Sequence, residues 1–274
     1  MATIPKKKAS LVLSLLILTL VLTGCHIFDS DRRDRTRALD SDVIFNLSEG
    51  YKDYLVIDEP RIRLLLRTEV IYGCCNYSIL SDVSFEPRGI GVDIRGIYTP
   101  EICLTATGPA KYSLLFDIQN GIYLLTFSNG DFTDRYTLEV TDSFIRISEV
   151  ASQFTKPEYK LYWRYPPNSF AYLCGTTHGT MWIWEDFLNV LLDELELEKF
   201  EFPNTGVIPY PHSTSGYYVN MPGLYFTYDD EADFEKAGEL LKAYSKDVIS
   251  NYSGVGITLV NWKNKRYLSW LYTE

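Results

Sequence analysis

The sequence predicts a mainly β protein with two domains, an N-terminal antiparallel β-sandwich followed by a smaller α+β domain. Between residues 43 and 150, short runs rich in β-branched and aromatic residues alternate with turn residues, a pattern typical of strands. Further along, two segments place apolar residues at the 3.6-residue period of an amphipathic helix. We therefore expect the sandwich at residues 43–152, a connection at 153–169 and the α+β domain at 170–274.

Nine runs are predicted to be strands of the sandwich, which would have the size of an immunoglobulin domain. Asn129 and Gly130 lie between two of these runs and give the strongest hairpin signal. A tight turn of the primed type needs positive φ angles, which Asn and Gly adopt at low cost. The predicted strands are residues 43–47, 54–57, 62–72, 77–85, 90–98, 112–118, 122–127, 135–140 and 144–147.

In the second domain we expect two helices packed on an antiparallel sheet. The sheet would close with a hairpin of residues 256–262 and 266–272 around Lys263 and Asn264. The apolar stripes that predict the helices are Trp184, Phe187, Leu188, Leu191 and Leu195 in the first helix, and Phe234, Ala237, Leu241, Tyr244 and Val248 in the second.

The N-terminus has the order of a secretory signal peptide. Three lysines at residues 6–8 precede an apolar run at residues 11–22, and the small Gly24 precedes Cys25. This run would be about 18 Å long as a helix, whereas a permanent span must cross a hydrocarbon core of about 30 Å. The sequence therefore predicts that residues 1–24 are a removable signal.

Residues 22–25, Leu-Thr-Gly-Cys, resemble the lipobox of bacterial lipoproteins. The resemblance covers residues 1–25 and implies that Cys25 is acylated, palmitate being a typical chain, becomes the new N-terminus and anchors the protein to a membrane. His26 stands where an aspartate would imply retention in the inner membrane. The resemblance therefore favours the outer membrane in a host with two membranes.

Residues 26–42 carry dense charge of both signs and almost no apolar periodicity, so we expect a flexible tether between the anchor and the first domain. Removal of the signal would leave 23 of the 26 basic residues against 36 acidic ones, a formal charge of −13. An acidic surface excludes nucleic acid as a partner, because phosphates require a positive face. It also repels anionic lipids, so we expect the acyl chains to supply the membrane attachment.

Four further cysteines are available for disulfides: Cys74, Cys75, Cys103 and Cys174. An even number in an exported protein predicts two disulfides, with three possible connectivities. We expect one of the two adjacent cysteines to join Cys103, and the other could reach Cys174 and link the domains. Zinc is the alternative for Cys174, but the paired C-x-x-C spacing is absent, and no metal or other cofactor is predicted.

Residues 175–179, Gly-Thr-Thr-His-Gly, lie between a predicted strand and a predicted helix, the setting of a nucleophile elbow. Thr177 would take the place of the serine, with His178 or His212 as the base. Fewer than 100 residues follow, too few for the sheet that carries the later acid and histidine in that motif. A tight strand-to-helix turn is therefore favoured, with a small-anion site at the helix N-terminus as another alternative.

The segment 210–218 is a polar loop rich in tyrosine, which suits contacts with a protein or a glycan. Its ligand-binding candidates are Tyr210, His212, Tyr217 and Tyr218, and we expect the tyrosines to be exposed. The main hypothesis is a lipid-anchored cell-envelope protein that acts as a binding or structural module, with an envelope protein or glycan as partner. The alternative is an envelope hydrolase of esters or glycans, which needs a histidine beside an acid and a hydroxyl in a cleft of the second domain.

The anchoring hypothesis predicts the behaviour of Cys25→Ser. Because the apolar run is too short to span a bilayer, this variant should lose both processing and membrane attachment. Fractionation of cells expressing the wild type and the variant measures both properties. Equal processing and equal membrane attachment in the two proteins would contradict a lipoprotein anchor.

Overall fold

The computed structural model describes residues 35–273, with the exception of residues 215 and 218. Cys25 and Tyr218 lie outside the described residues. The described chain is mostly β-structure, arranged as one large curled sheet and one smaller sheet with two helices. No helix in this part of the chain combines the length and the apolar character that crossing a membrane requires.

The larger sheet contains 11 strands and is mixed. Its strand order is β10-β2-β3-β6-β4-β5-β7-β8-β9-β11, and β1 pairs with β5. The strands are β1 (Thr36–Arg37), β2 (Val43–Gly50), β3 (Arg61–Tyr72), β4 (Ser78–Glu86), β5 (Gly89–Tyr98), β6 (Gly108–Phe116), β7 (Gly121–Asn129), β8 (Phe132–Val140), β9 (Phe144–Ala151), β10 (Thr155–Pro157) and β11 (Leu161–Trp163).

The sheet curls because consecutive strands lie at its two edges. Strands β10 and β11 are at opposite ends of the strand order but are separated by only three residues, 158–160. The alternating side chains of the strands then enclose an apolar core. At its centre the ring of Phe45 lies 4.6 Å from that of Phe127 and 4.9 Å from that of Tyr136.

A buried carboxylate holds the chain where it passes from β9 to β10. Asp134 is fully buried and accepts hydrogen bonds from the backbone N–H groups of Gln153, Phe154 and Thr155. It also accepts one from the Thr155 hydroxyl, at 2.6 Å. Because four donors satisfy the carboxylate, its burial is compatible with a stable fold.

Eight of the nine strands predicted for the first domain are present, with ends that differ by a few residues. The prediction at residues 54–57 is wrong, because this segment is an exposed loop with Leu55 83% accessible. The predicted connection contributes β10 and β11 to the sheet. Part of the predicted tether also belongs to the folded unit, since β1 pairs with β5.

The wholly antiparallel arrangement expected for the first domain is wrong. Strand β2 is parallel to β10, β4 is parallel to β6, and β5 is parallel to β7. The β4–β5 hairpin is inserted between β6 and β7, so strands that follow one another in sequence are not always neighbours. A sandwich of immunoglobulin type is not confirmed. The alternating pattern identified the strands but carried no information about their partners.

The second sheet is antiparallel, as predicted, with the order β13-β15-β12-β16-β17 and β14 paired to β12. Its elements are β12 (Ser169–Thr176), helix α1 (Trp182–Glu194), β13 (Glu198–Phe200), β14 (Val219–Asn220), β15 (Leu224–Thr227), helix α2 (Glu231–Asp247), β16 (Gly256–Asn261) and β17 (Arg266–Leu268).

Both predicted helices are confirmed, and their apolar stripes form a core with the second sheet. Phe187 of α1 and Phe234 of α2 are fully buried in it. Helix α2 begins after Asp230, whose side chain accepts a hydrogen bond from the N–H of Ala232 at 3.0 Å. The Asp233 carboxylate in turn accepts one from the Asp230 N–H. This reciprocal pair is a capping box, and it explains why the acidic residues lie at the start of the helix.

The expected bond between Cys103 and one of the adjacent cysteines is confirmed as Cys74–Cys103. The antiparallel pair β3–β6 explains it, since Cys74 follows β3 and Cys103 precedes β6 at the same end of the sheet. The second expected disulfide is wrong, because Cys75 and Cys174 are both free. Cys174 is 1% exposed in the core beneath the helices, whereas Cys75 lies in the loop after β3.

Candidate functional site

The two sheets meet at the turn between β16 and β17. Asn264 in this turn is 4% exposed and has a φ of 65°, a left-handed conformation that Asn adopts more readily than most residues. Its side-chain Nδ2 donates to the backbone oxygens of Tyr54 at 2.8 Å and Val56 at 3.0 Å. The loop between β2 and β3 is therefore held on the second sheet.

Other contacts support the same junction. Lys263 O accepts the N–H of Asp58 at 3.1 Å, and Trp262 O accepts the Tyr51 hydroxyl at 2.7 Å. Val207, which lies between β13 and β14, pairs with the edge strand β11 through Leu161 and Trp163. Hydrogen bonds thus join the larger sheet and its β2–β3 loop both to the second sheet and to the segment that carries Val207.

Asn264 also positions the side chain of Arg266. Its Oδ1 accepts Nε of Arg266 at 3.1 Å and Nη2 at 2.8 Å. The guanidinium carbon of Arg266 lies 3.7 Å from the centre of the Tyr54 ring, in cation–π contact. One buried amide consequently contacts both an arginine of the second sheet and the backbone of a tyrosine in the β2–β3 loop.

A first cavity of about 380 Å³ lies at this junction, between the outer faces of β2 and β3 and the second sheet. Glu49 is on its wall with a side chain only 3% exposed. The Glu49 carboxylate accepts Nε of Arg164 at 2.8 Å and the backbone N–H of Tyr165 at 2.7 Å. Burial raises the pKa of Glu49, and these two donors oppose the rise.

Arg63 lines the same cavity and is half-buried. Its guanidinium lies across Gly50, where a Cβ would come within 2.9 Å of Cζ. Burial raises the pKa of Tyr165, and the positive charges of Arg266 and Arg63 act in the opposite direction. Both arginines therefore lie close to Tyr165, and neither has a carboxylate partner within the described residues.

A second cavity of about 500 Å³ adjoins the first, and the two share Tyr54, Pro211, Val260 and Arg266. We call the two cavities together the junction groove. Thr214 in the second cavity is 6% exposed, and its buried hydroxyl has no hydrogen-bond partner among the described residues. The other lining residues of the second cavity are Leu173, Ser213, Tyr217, Thr258, Leu268 and Trp270.

The described residues of the segment 210–218 cover part of the face of the second sheet that the helices leave open. The exposure predicted for Tyr210 is wrong, because this residue is 2% exposed and its hydroxyl lies 2.7 Å from the Ser169 Oγ. Its ring is stacked on Tyr225. His212 is exposed, and Tyr217 is half-buried. The prediction rested on the polar residues around Tyr210, which did not show that this residue packs on the sheet.

Tyr217 lies on a floor of two glycines. Gly175 of β12 is directly opposite Gly256 of β16, and a Cβ on either would come within 2.5 Å of the Tyr217 side chain. The first glycine of residues 175–179 therefore serves ring packing. This contact also makes Tyr217 a packed residue on the wall of the second cavity.

The nucleophile elbow is not formed. The Thr177 hydroxyl lies 2.9 Å from the Thr180 hydroxyl, and His178 is exposed in a short 3₁₀ helix. Neither His178 nor His212 lines the junction groove or forms a hydrogen bond or ion pair within the described part of the chain. Burial raises the pKa of the Cys174 thiol to about 12, so it remains protonated at neutral pH.

The groove residues Arg63, Asn264 and Arg266 were not predicted as site residues. The hairpin prediction placed Asn264 in a turn, which was a partial signal for the left-handed conformation. Nothing in the sequence indicated that Arg63 and Arg266, 203 positions apart, would line one cavity. The described residues contain no group of three or more His, Cys, Asp or Glu side chains arranged to hold a metal ion.

Comparison with known proteins found no matching family model, no matching curated protein and no matching solved structure. Function is therefore inferred from the chemistry of the junction groove.

The glycine floor predicts different effects for two substitutions in residues 175–179. Gly175→Ala should displace Tyr217 and destabilise the protein by roughly 1–3 kcal/mol, the usual range for overpacking. Gly179→Ala is the matched control, because no atom lies within 4 Å of its added Cβ. Thermal unfolding measures both.

Replacing the tyrosine tests the cause of this destabilisation. In the double variant Gly175→Ala, Tyr217→Ala the clash is absent, so the second substitution should not add its full cost to the first. Equal stability of Gly175→Ala and Gly179→Ala would show that Tyr217 does not pack on the glycines.

Proposed function

We propose that the protein is a lipid-anchored component of the bacterial cell envelope and that it binds a ligand in the junction groove. The observation that carries this proposal is the presence of two arginines without carboxylate partners among the described residues, Arg63 and Arg266, on opposite walls of one cavity. They stand out in a chain whose formal charge is −10. Both guanidinium groups are half-buried, and partial removal of such a charge from water without an anionic partner costs free energy that a bound anion would offset.

The shape of the groove supports a binding role. Ligand sites are concave, lie preferentially at the junction of structural units, and combine apolar or aromatic walls with a few polar groups. The two cavities fall within the usual range of roughly 300–1,000 Å³ for such sites. The hydrogen bonds of Asn264 and Tyr51 fix the walls of the groove, so little ordering is required on binding.

The hydrolase alternative finds little support in the described residues. An acyl or glycosyl transfer site needs a nucleophile or acid within hydrogen-bond reach of a base. The Thr177 hydroxyl lies beside another threonine, and the Glu49 carboxylate is engaged by Arg164 and Tyr165. We therefore favour a binding module over an enzyme.

The envelope location is supported by the sequence of residues 1–25 and by the disulfide. Cys74–Cys103 is a bond typical of exported proteins. The excess of acidic residues disfavours direct attachment to anionic lipid or nucleic acid. An acylated Cys25 would place the groove at a membrane surface, where envelope glycans and proteins are the available ligands.

Filling the first cavity tests the binding role. Ser48 lies on the cavity wall, so Ser48→Trp should occupy the cavity. Ser113→Trp is the matched control, because Ser113 is an exposed strand residue outside both cavities. A soluble glycan and peptide fraction from a cell-wall digest should raise the Tm of the wild type and of the control by about a few degrees.

The same fraction should leave the Tm of Ser48→Trp unchanged, since the ligand can no longer enter. An equal rise in all three proteins would place the ligand outside the groove. No rise in the wild type at saturating concentrations of the digest would contradict binding of a soluble envelope component.

A further inference from the structure

The charges around the first cavity favour a ligand that places one negative charge in this cavity. Glu49 is neutralised by Arg164 at 2.8 Å. The remaining charged residues on the cavity wall are Arg63, Arg266 and Asp53, and Asp53 is exposed to solvent. The positive charges thus exceed the negative ones by one. A carboxylate balances this excess, and it matches the planar, two-pronged donor geometry of a guanidinium.

The two arginines differ in how many of their guanidinium N–H groups already form hydrogen bonds. Arg266 directs Nε and Nη2 to the Oδ1 of Asn264, a neutral acceptor. The side chain of Arg63 forms no hydrogen bond within the described residues, so all five of its guanidinium N–H donors are available. Arg63 is therefore the residue that would make the two-pronged contact, and Arg266 would contribute from the opposite wall.

Two buried polar atoms elsewhere in the groove have no hydrogen-bond partner among the described residues. The Oδ1 of Asn46 is buried in the first cavity without a donor among the described residues, and it can only accept. The buried hydroxyl of Thr214 in the second cavity can donate or accept, and it also has no partner there. Hydroxyl groups on a ligand would suit both atoms, because a hydroxyl both donates and accepts, whereas phosphate lacks a donor when fully ionised.

The walls of the second cavity suit a sugar ring. Tyr54, Tyr217 and Trp270 present aromatic rings there, and Leu173 and Val260 supply apolar surface. A pyranose ring has a face of C–H groups that packs on aromatic side chains, and a rim of hydroxyl groups that forms hydrogen bonds. The second cavity combines both kinds of contact around Thr214.

We infer that the ligand of the junction groove is an acidic saccharide, whose carboxylate is bound by Arg63 in the first cavity and whose neighbouring ring lies against Thr214 in the second. This inference rests on the proposed function, since it names the ligand class of the same groove. It extends that function from binding in general to a particular combination of one carboxylate and a polyhydroxylated ring.

Calorimetry on the full-length, detergent-solubilised protein tests the ligand class. The probes are trigalacturonate, its uncharged methyl ester, inorganic phosphate and trialanine. Trigalacturonate should bind saturably, and the ester, which has the same rings without charge, should bind at least about ten-fold more weakly. Phosphate and trialanine should not compete.

Two variants assign the contacts. Arg63→Gln should weaken trigalacturonate binding by at least about ten-fold and abolish the difference from the ester. Arg61→Gln is the matched control on the same strand, because the Arg61 guanidinium pairs with exposed Asp117 outside both cavities. Thr214→Val keeps the shape of the side chain and removes a hydroxyl that has no partner among the described residues. It should therefore weaken binding without lowering the Tm.

The results that would contradict this inference differ from those that would contradict the proposed function. Equal affinity for trigalacturonate and its ester, or stronger binding of phosphate or trialanine, would overturn the saccharide class while the groove remains a binding site. Absence of binding by trigalacturonate would overturn the inference, and the Ser48→Trp comparison would still decide whether the groove binds envelope components. Unchanged affinity in Thr214→Val would contradict the placement of the ring.

Discussion

The side-chain amide of Asn264 is the interaction on which the arrangement of the two sheets at the groove depends. Its Nδ2 donates to two backbone oxygens of the β2–β3 loop, and its Oδ1 accepts two bonds from Arg266. The residue is 4% exposed, so loss of the amide would leave these groups without partners at a cost of roughly 1–3 kcal/mol.

The side-chain amide of Asn261 stabilises the turn that contains Asn264. Asn261 is fully buried, and its Oδ1 accepts the N–H groups of Lys263 at 3.1 Å and Lys265 at 2.8 Å. This satisfies the backbone of the turn while Asn264 adopts positive φ. The backbone geometry of the turn therefore directs Arg266 at the cavity. Its positive charge has no carboxylate partner there within the described residues.

Much of the secondary structure could be predicted because local patterns determine it. Phe187 and Phe234 lie on stripes with helical spacing, and both are buried where the stripes predicted. Strand pairing could not be predicted, because the insertion of β4–β5 between β6 and β7 depends on contacts between distant residues. A bond from Cys103 to one of the two adjacent cysteines was predicted because only a few partners were available, and the structure shows that the partner is Cys74.

The candidate site was less predictable than the fold. Tyr210 lies in a polar segment, yet it is buried because one face of the second sheet has no helix and needs another cover. Gly175 was considered part of a catalytic motif, whereas its lack of a side chain makes room for Tyr217. Arg63 and Arg266 are candidate ligand contacts because neither has a carboxylate partner among the described residues. The sequence alone does not show which side chains will lie beside an arginine.

Amide hydrogen exchange in Asn264→Gly tests the central role of Asn264 most directly. Glycine adopts the positive φ at this position at low cost, so the variant removes the amide and leaves the turn intact. The Asp58 amide, which donates to Lys263 O at the junction, should exchange at least about ten-fold faster, while that of Leu173 in the central strand β12 should be unchanged. Unchanged exchange at Asp58 would contradict the account and would show that other contacts, such as that of Tyr51 with Trp262, hold the sheets together.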